Sequence, residues 1–206
     1  MGMFCYQCEQ TAKGTGCTVQ GVCGKDPEVA ALQDLLVEAV KGISRYAHCA
    51  RQQGAKDAAV DGFVIEALFA TLTNVNFDAA RFQSYLAQAD AVRDKAKALC
   101  AAACQKAGKA CADLGSPVRK PEDASIQKRI DAIGDTVTGL QELIIYGVKG
   151  AAAYAYHARV LGKEDDGFYA LLHQILDFVA QNPTDVNALV GNALKTGELN
   201  LKAMEI

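Results

Sequence analysis

The sequence LQDLLVEAVKGISRYAHCARQQG at residues 32–54 returns in altered form as LQELIIYGVKGAAAYAYHARVLG at residues 140–162. The two copies share eleven of 23 positions without a gap, at an offset of 108 residues. In both copies apolar residues recur at steps of three and four, which is typical of an amphipathic helix. Gly54 and Gly162 then stand where a helix commonly ends with a left-handed glycine. The pattern therefore predicts one long helix, used twice.

Each copy is followed by two further helical patterns, so that the duplicated unit has three helices. Asp78 and Asp185 suit the N-cap of the last helix in each unit. The predicted second and third helices cover residues 62–72 and 79–109 in the first unit, and 167–180 and 186–204 in the second. The sequence therefore predicts an all-α fold of two three-helix bundles related by internal duplication.

The domain organisation follows from this duplication. We expect a Cys-rich segment at residues 1–28, a first bundle at 29–113, a linker at 114–124 and a second bundle at 125–206. Gly115, Pro117 and Pro121 cluster in the linker, as is typical of connecting segments. Whether the two bundles share one core is left open at this stage.

The Cys-rich segment holds four of the chain's eight cysteines, Cys5, Cys8, Cys17 and Cys23. The segment is too short and too polar to build a core of its own, so a metal centre bound by four thiolates would have to hold it. An iron–sulfur cubane and a structural zinc ion both accept four cysteine ligands. The spacing favours the iron–sulfur cluster, because zinc sites more often present two short Cys pairs.

Composition limits the classes of partner and location. The chain has 206 residues, of which 50% are hydrophobic and 22% are charged, with a formal net charge of −3. Mild acidity argues against nucleic acid as a partner, and no apolar run reaches the ~20 residues of a membrane span. We found no apolar signal segment, so we expect a soluble protein of the reducing cytoplasm without disulfides.

The patterns favour structural roles for the remaining cysteines, the histidines and two pairs of charged residues. Cys100, Cys104 and Cys111 are expected on one face of the third helix, where packing of small residues is favoured over metal binding, although their role is left open. Cys49 aligns with His157 in the other copy, which argues against either as a required ligand. The three histidines, His48, His157 and His173, are expected to be exposed or hydrogen-bonded. The pairs Asp34–Lys41 and Glu142–Lys149 resemble solvated helix charges, and no catalytic residue is assigned.

Several segments together resemble one known family. The run Met3–Ala12 (MFCYQCEQTA), followed by Gly16-Cys17-Thr18 and Gly21–Lys25 (GVCGK), resembles the amino terminus of the hybrid cluster proteins, also called prismane proteins or hydroxylamine reductases. The resemblance continues through FVIEALFATLTNVNFD and the duplicated helix. It therefore covers essentially the whole chain.

The resemblance implies a cofactor and an activity. It implies that Cys5, Cys8, Cys17 and Cys23 bind a [4Fe-4S] cluster in an all-α domain of two three-helix bundles. The family reduces hydroxylamine or nitric oxide at a separate hybrid cluster, whose ligands lie in later domains. None of this chain's other cysteines or histidines matches those ligands, so the hybrid cluster is not expected here.

Three functions follow as expectations. The first is an electron-transfer domain that ends before the catalytic ligands. Its partners would be an electron-donor protein (a reductase or ferredoxin-like protein), the C-terminal catalytic domains, or a second copy in a homodimer. The second is one part of a complete hydroxylamine reductase whose catalytic domains lie on another chain or were not included. The third is a helical scaffold held together by the metal, without a redox role.

Overall fold

The computed structural model describes residues 3–111, 113–115 and 117–206. Met1, Gly2, Ala112 and Ser116, which fall in the predicted Cys-rich segment, first bundle and linker, lie outside this description. The described residues form eight α-helices and no strand, so the prediction of an all-α fold is confirmed. The helices are α1 (Pro27–Gln52), α2 (Ala58–Ala70), α3 (Ala79–Lys106), α4 (Pro121–Ala124), α5 (Ile126–Ile133), α6 (Asp135–Val160), α7 (Asp166–Ala180) and α8 (Val186–Glu205).

Aspartate side chains begin several of the helices. Asp78 accepts hydrogen bonds from the backbone N–H groups of Ala80 and Arg81, and Asp185 accepts one from that of Ala188. Both predicted N-caps are therefore confirmed. Asp26 caps α1 in the same way, so this helix begins at Pro27, five residues before the duplicated sequence.

The two long helices end in the same backbone motif. Gly54 has φ +77° and Gly162 has φ +75°, in the left-handed region that favours glycine. The N–H of each glycine and of the next residue donates back to carbonyl groups in the last turn, which is the Schellman arrangement. The predicted helix ends are confirmed.

The region between the duplicated units contains helices that the sequence patterns did not predict. Pro121 opens α4 within the predicted linker, at a first-turn position where proline lacks only an N–H that the helix does not use. α5 follows with its N-cap at Ser125, packs along α6 and buries Ile126. These helices are four and eight residues long, too short for a clear periodic pattern.

The duplicated helices α1 and α6 both lie at the centre of the fold, and the two halves of the chain exchange contacts. α1 packs mainly against α3 and α7, whereas α6 packs mainly against α8 and α2. Each short middle helix therefore lies chiefly on the long helix of the other half. One hydrophobic core includes fully buried side chains of both halves, among them Leu36, Phe82, Ile144 and Phe168. The boundaries at 29–113, 114–124 and 125–206 stay a prediction.

A buried polar network crosses this interface. Asp61 of α2 accepts a hydrogen bond from Arg51 of α1 at 2.7 Å and contacts His173 of α7 at 2.8 Å. The other ring nitrogen of His173 lies 3.0 Å from the Ser44 hydroxyl of α1. His173 is fully buried and hydrogen-bonded. The sequence patterns predict histidines that are either exposed or hydrogen-bonded, and His173 is of the second kind. Burial lowers the pKa of His173 because it disfavours the charged imidazolium.

The described helices include none that is long and apolar enough to cross a membrane.

α6 and α8 approach each other closely at a glycine. A Cβ atom added at Gly147 would lie 2.5 Å from the Cγ2 atom of Thr196. The Thr196 hydroxyl donates to the Asn192 carbonyl in its own helix, which holds this side chain in place.

Candidate metal centre

The Cys-rich segment folds back on itself through a backbone bridge between two of the four predicted ligands. Cys5 and Cys17 donate to each other's carbonyl groups, at 3.1 and 2.8 Å, as an antiparallel pair. Residues paired in this way project their side chains to the same side, with Cβ atoms about 4.5–5.5 Å apart. The bridge therefore presents the Cys5 and Cys17 side chains together.

Polar groups of the segment surround the sulfur atom of Cys17, one of the four predicted ligands. Its Sγ atom accepts a hydrogen bond from the Ala12 N–H at 3.4 Å and lies 3.8 Å from the Thr11 hydroxyl. Hydrogen bonds from the backbone N–H groups of Val22 and then Ala12 lower the pKa of the Cys17 thiol, because they stabilise the thiolate. The structure thus favours the protonation state that a metal ligand needs.

Two glycines let the backbone approach side chains of the Cys-rich segment closely. At Gly16, φ is +155° and an added Cβ atom would lie 2.6 Å from the ring of Phe4. At Gly21, an added Cβ atom would lie 3.0 Å from the Cys23 sulfur. A side chain at Gly16 would therefore displace the ring of Phe4, and one at Gly21 would make a tight contact with the Cys23 sulfur.

Cys8 and Cys23 are half-buried and line one surface cleft together with Val22, Thr73 and Asn74. The four sulfurs of Cys5, Cys8, Cys17 and Cys23 do not all lie within 4.8 Å of one another in the described structure. A tetrahedral zinc site with Zn–S bonds of about 2.3 Å would place its sulfurs about 3.8 Å apart. In a cubane each thiolate binds a different iron atom, so its sulfurs lie farther apart. Four cysteine thiolates are a donor set that an iron–sulfur cluster accepts.

Side chains of the helical core hold the Cys-rich segment in place. The Gln7 amide donates to the Thr73 hydroxyl at 2.9 Å, and its oxygen accepts a hydrogen bond from Lys149 of α6 at 3.0 Å. Lys25 donates to Gln33 of α1 at 2.8 Å. These contacts attach the beginning of the segment, at Gln7, and its end, at Lys25, to the helical core.

Aromatic rings cover one side of the segment. Phe4 packs against Tyr6, with ring centroids 5.0 Å apart, and Tyr6 contacts Tyr146 of α6 edge-on at 6.1 Å. Burial raises the pKa of Tyr6 to about 12, so its hydroxyl stays protonated. The three rings thus form a continuous row of tilted and edge-on contacts from the segment to α6.

A charged cavity lies behind Cys5, and here the sequence-based interpretation of Lys41, Glu142 and Lys149 as solvated helix charges was wrong. Glu142 and Lys149 are each only 4% exposed, as is Lys41, rather than solvated. Arg129 of α5 forms an ion pair with Glu142, and Lys41 forms one with Glu38. Burial, and then the charge of Glu142, raises the pKa of Asp34. Burial lowers the pKa of Lys149.

The sequence contained a signal for this burial. Gln33 and Lys41 are identical to their counterparts Gln141 and Lys149 in the other copy, and all four are buried. A polar residue repeated in both copies of an amphipathic helix is better explained by a buried hydrogen bond than by a solvated surface. Gln141, for example, donates to Asn182 at 2.9 Å.

The remaining cysteines also differ from the sequence-based interpretation. α3 ends at Lys106, so Cys111 is not on the helix with Cys100 and Cys104. The chain turns at Gly108 and brings Cys111 back, so that its sulfur lies 3.4 Å from that of Cys100. Cys49 of α1 joins the group and forms a disulfide with Cys100, contrary to the expectation of a chain without disulfides. Cys111 is exposed, so packing of small buried residues does not explain its position.

Comparison with known proteins places this arrangement in a family. A profile described as "Prismane/CO dehydrogenase family" matches residues 3–206. The chain belongs to the Prismane/CO dehydrogenase family. Membership implies iron–sulfur clusters and agrees with the resemblance carried by the Cys-rich segment and the duplicated helix.

Curated relatives of this family extend the comparison. The chain is similar to hydroxylamine reductases of Rhodospirillum rubrum (45% identical over 99% of this chain and 39% of the relative) and Burkholderia lata (46%, 99% and 40%). It is 42% identical to the hydroxylamine reductase of Methanocella arvoryzae, over 99% of this chain and 39% of the relative. The chain therefore spans about two fifths of the length of the relatives it matches.

Proposed function

We propose that the chain is an electron-transfer domain of a hydroxylamine reductase-type protein, with a [4Fe-4S] cluster bound by Cys5, Cys8, Cys17 and Cys23. The observation that carries the proposal is the backbone bridge that presents Cys5 and Cys17 together, with N–H donors directed at the Cys17 sulfur. These four cysteines lie in a segment with almost no core of its own, in a family that implies iron–sulfur clusters.

When bound, such a cluster takes up and releases electrons at a potential that the protein sets. The N–H group of Ala12 donates to the Cys17 sulfur and reduces its negative charge. Hydrogen bonds of this kind stabilise the more negative reduced form and raise the potential. Lys25 acts in the same direction, because its positive charge favours the Cys17 thiolate and, after the backbone hydrogen bonds from Val22 and Ala12, lowers the pKa of that thiol.

Access to the site is uneven. Phe4, Tyr6 and Tyr146 cover one side, whereas Cys8 and Cys23 line an open surface cleft. The cleft is the side on which a reductase or ferredoxin-like donor would approach, because transfer needs a short separation. Electrons would then reach the catalytic hybrid cluster, whose ligands we expect in the sequence that the longer relatives have beyond the matched part.

A second candidate is supported by the names of the relatives. All the curated relatives cited above are hydroxylamine reductases, and the match covers 99% of this chain. The chain would then be one part of a complete hydroxylamine reductase. Co-purification with a polypeptide that restores turnover favours this candidate over an isolated electron carrier.

The proposal is tested on the full chain purified without oxygen. We expect about four iron and four sulfide per chain, with an electron paramagnetic resonance signal that appears on reduction by dithionite. Cys8→Ser should lose most of the iron and the signal, whereas Cys111→Ser, a matched change at an exposed cysteine outside the segment, should retain both. One zinc per chain without sulfide would instead support the metal-bound scaffold, and turnover of hydroxylamine by this chain alone would refute a role limited to electron transfer.

A further inference from the structure

Four cysteines outside the Cys-rich segment converge at one point between α1 and α3. Cys49 comes from α1, Cys100 and Cys104 from α3, and Cys111 from the segment that follows α3. Their four sulfur atoms all lie within 4.8 Å of one another. Cys49 lies 3.8 Å from Cys104, and Cys100 lies 3.4 Å from Cys111. We call these four residues the distal quartet.

Outside the bonded Cys49–Cys100 pair, two sulfur–sulfur distances of the distal quartet, 3.8 and 3.4 Å, are close to those around a single tetrahedral ion. Zinc bound by four thiolates at about 2.3 Å requires neighbouring sulfurs about 3.8 Å apart. Cys100 and Cys104 are separated by one helical turn, which puts both side chains on the same face of α3. This short pair falls within the ligand spacing common in structural zinc sites.

The distal quartet is separate from the proposed cluster. Cys17 packs against Ala30 near the start of α1, and Cys49 lies 19 residues farther along the same helix. At about 1.5 Å per residue, the two groups are separated by about 28 Å along α1. No single cofactor of iron–sulfur size can take ligands from both.

The segment that carries Cys111 is fixed in place by side chains of the helices. The Tyr46 hydroxyl donates to Asp113 at 3.1 Å, Arg45 donates to the Leu114 carbonyl at 2.5 Å, and Arg93 donates to the Gly115 carbonyl. At the other end, the N–H of Lys109 donates to the Cys104 carbonyl at 2.9 Å. These contacts position the exposed Cys111 beside the buried Cys100 and Cys104.

Positive charge lies next to this position. The guanidinium of Arg93 lies 5.1 Å from the centroid of the Tyr46 ring, and the ammonium of Lys97 lies 5.8 Å from it. A zinc ion with four thiolates carries a net charge of −2, which the positive charge of Lys97 near Cys111 would offset in part. Such a balance is useful at a partly buried site.

We infer that, with its thiols reduced, the distal quartet binds one zinc ion as a structural site that joins α1, α3 and the chain after α3. Reduction of the Cys49–Cys100 disulfide by a dithiol yields two thiols, while the dithiol becomes a disulfide. Binding of Zn²⁺ then releases four protons to solvent as four thiolate–metal bonds form. The oxidised chain keeps the disulfide, and the reduced chain keeps the same contact through the metal.

The test uses chains of all 206 residues that differ only in cysteine content. Cys8→Ser/Cys23→Ser disables the proposed cluster site and leaves the distal quartet intact. After reduction by a phosphine and removal of the reductant, zinc is titrated against a chromophoric chelator, and Co²⁺ is used as a spectroscopic probe. We expect one zinc per chain and a cobalt spectrum with the thiolate-to-metal bands of a tetrahedral four-sulfur site.

Adding Cys111→Ser to this background should weaken zinc binding by roughly a hundredfold or more, because one of four ligands is lost. Cys111 is exposed, so this change should leave the helical circular dichroism intact; adding Cys104→Ser provides a second, buried variant. Zinc binding that is unchanged in both variants would overturn the inference. It would also be overturned if the starting variant bound no zinc, or if thiol labelling showed that Cys49 and Cys100 stay bridged after reduction.

Discussion

The substitution Asp61→Ala tests how much the polar network between the two halves contributes to stability. The side chains of Arg51 and Asp61 are 9% and 6% exposed, and His173 is fully buried. Removing one partner of a buried ion pair costs about 3–5 kcal/mol, because it leaves a charge without compensation. Arg51 keeps a second partner, Asp166, which is 56% exposed. We therefore expect the low end, a loss of about 3 kcal/mol.

That loss is large relative to the whole. A domain is typically stable by about 5–15 kcal/mol, and for 206 residues each kcal/mol corresponds to roughly 2–4 °C in melting temperature. Asp61→Ala should lower the midpoint by about 6–12 °C. The free energy of unfolding is measured by urea titration followed by circular dichroism, with the slope checked for two-state behaviour.

Asp90→Ala provides the matched control. Asp90 forms an ion pair with Arg119 in which the side chains are 48% and 61% exposed, so its loss should cost less than about 1 kcal/mol. Asp61→Asn, which keeps a hydrogen-bond acceptor, should be intermediate. A loss for Asp61→Ala no greater than that for Asp90→Ala would show that the network does not stabilise the packing of α2 and α7 on α1.

Three further predictions concern pH, packing and metal removal. Because burial lowers the pKa of His173, the unfolded state takes up a proton more readily than the folded state below pH 6.5, and the stability should fall as the pH drops. The substitution His173→Gln should reduce this fall. The control substitution His157→Gln, at an exposed histidine, should not. Gly147→Ala should destabilise by about 1–3 kcal/mol relative to Gly139→Ala in urea unfolding, because its Cβ atom meets Thr196 and that of Gly139 meets open space; equal effects would contradict the close contact. Removing iron with a chelator should make the Cys-rich segment sensitive to protease while helical circular dichroism persists. Loss of the helical signal together with the protease resistance would show that the cluster also supports the core.

Local features of the fold could be predicted because they depend on neighbouring residues. Asp78 and Asp185 cap helices through N–H groups two or three residues away, and Gly54 and Gly162 end helices by their own φ angles. The all-α class followed from helical periodicity for the same reason. The role of Cys5, Cys8, Cys17 and Cys23 as ligands stays a prediction, although the Cys5–Cys17 bridge fits it.

The features that sequence reasoning missed depend on contacts between distant parts of the chain. Lys149 is buried because the Cys-rich segment folds over it, 142 residues away from Gln7. Helical periodicity reports which face of a helix is polar, but not whether another segment covers that face. The charged cavity behind Cys5 could therefore not be read from the pattern of α6 alone.

The sequence by itself determined the approximate positions of the six longer helices, how α3 and α8 begin, how α1 and α6 end, and that one helix is used twice, since these properties are encoded within a few turns. It did not indicate the short helices α4 and α5. Only the tertiary structure decided that each middle helix packs on the long helix of the other half, and that Cys49 meets Cys100, Cys104 and Cys111. Such meetings depend on how amphipathic faces pair and on where the chain turns after α3. Hydrophobic burial favours many pairings of similar area, and the geometry of the complete core selects one.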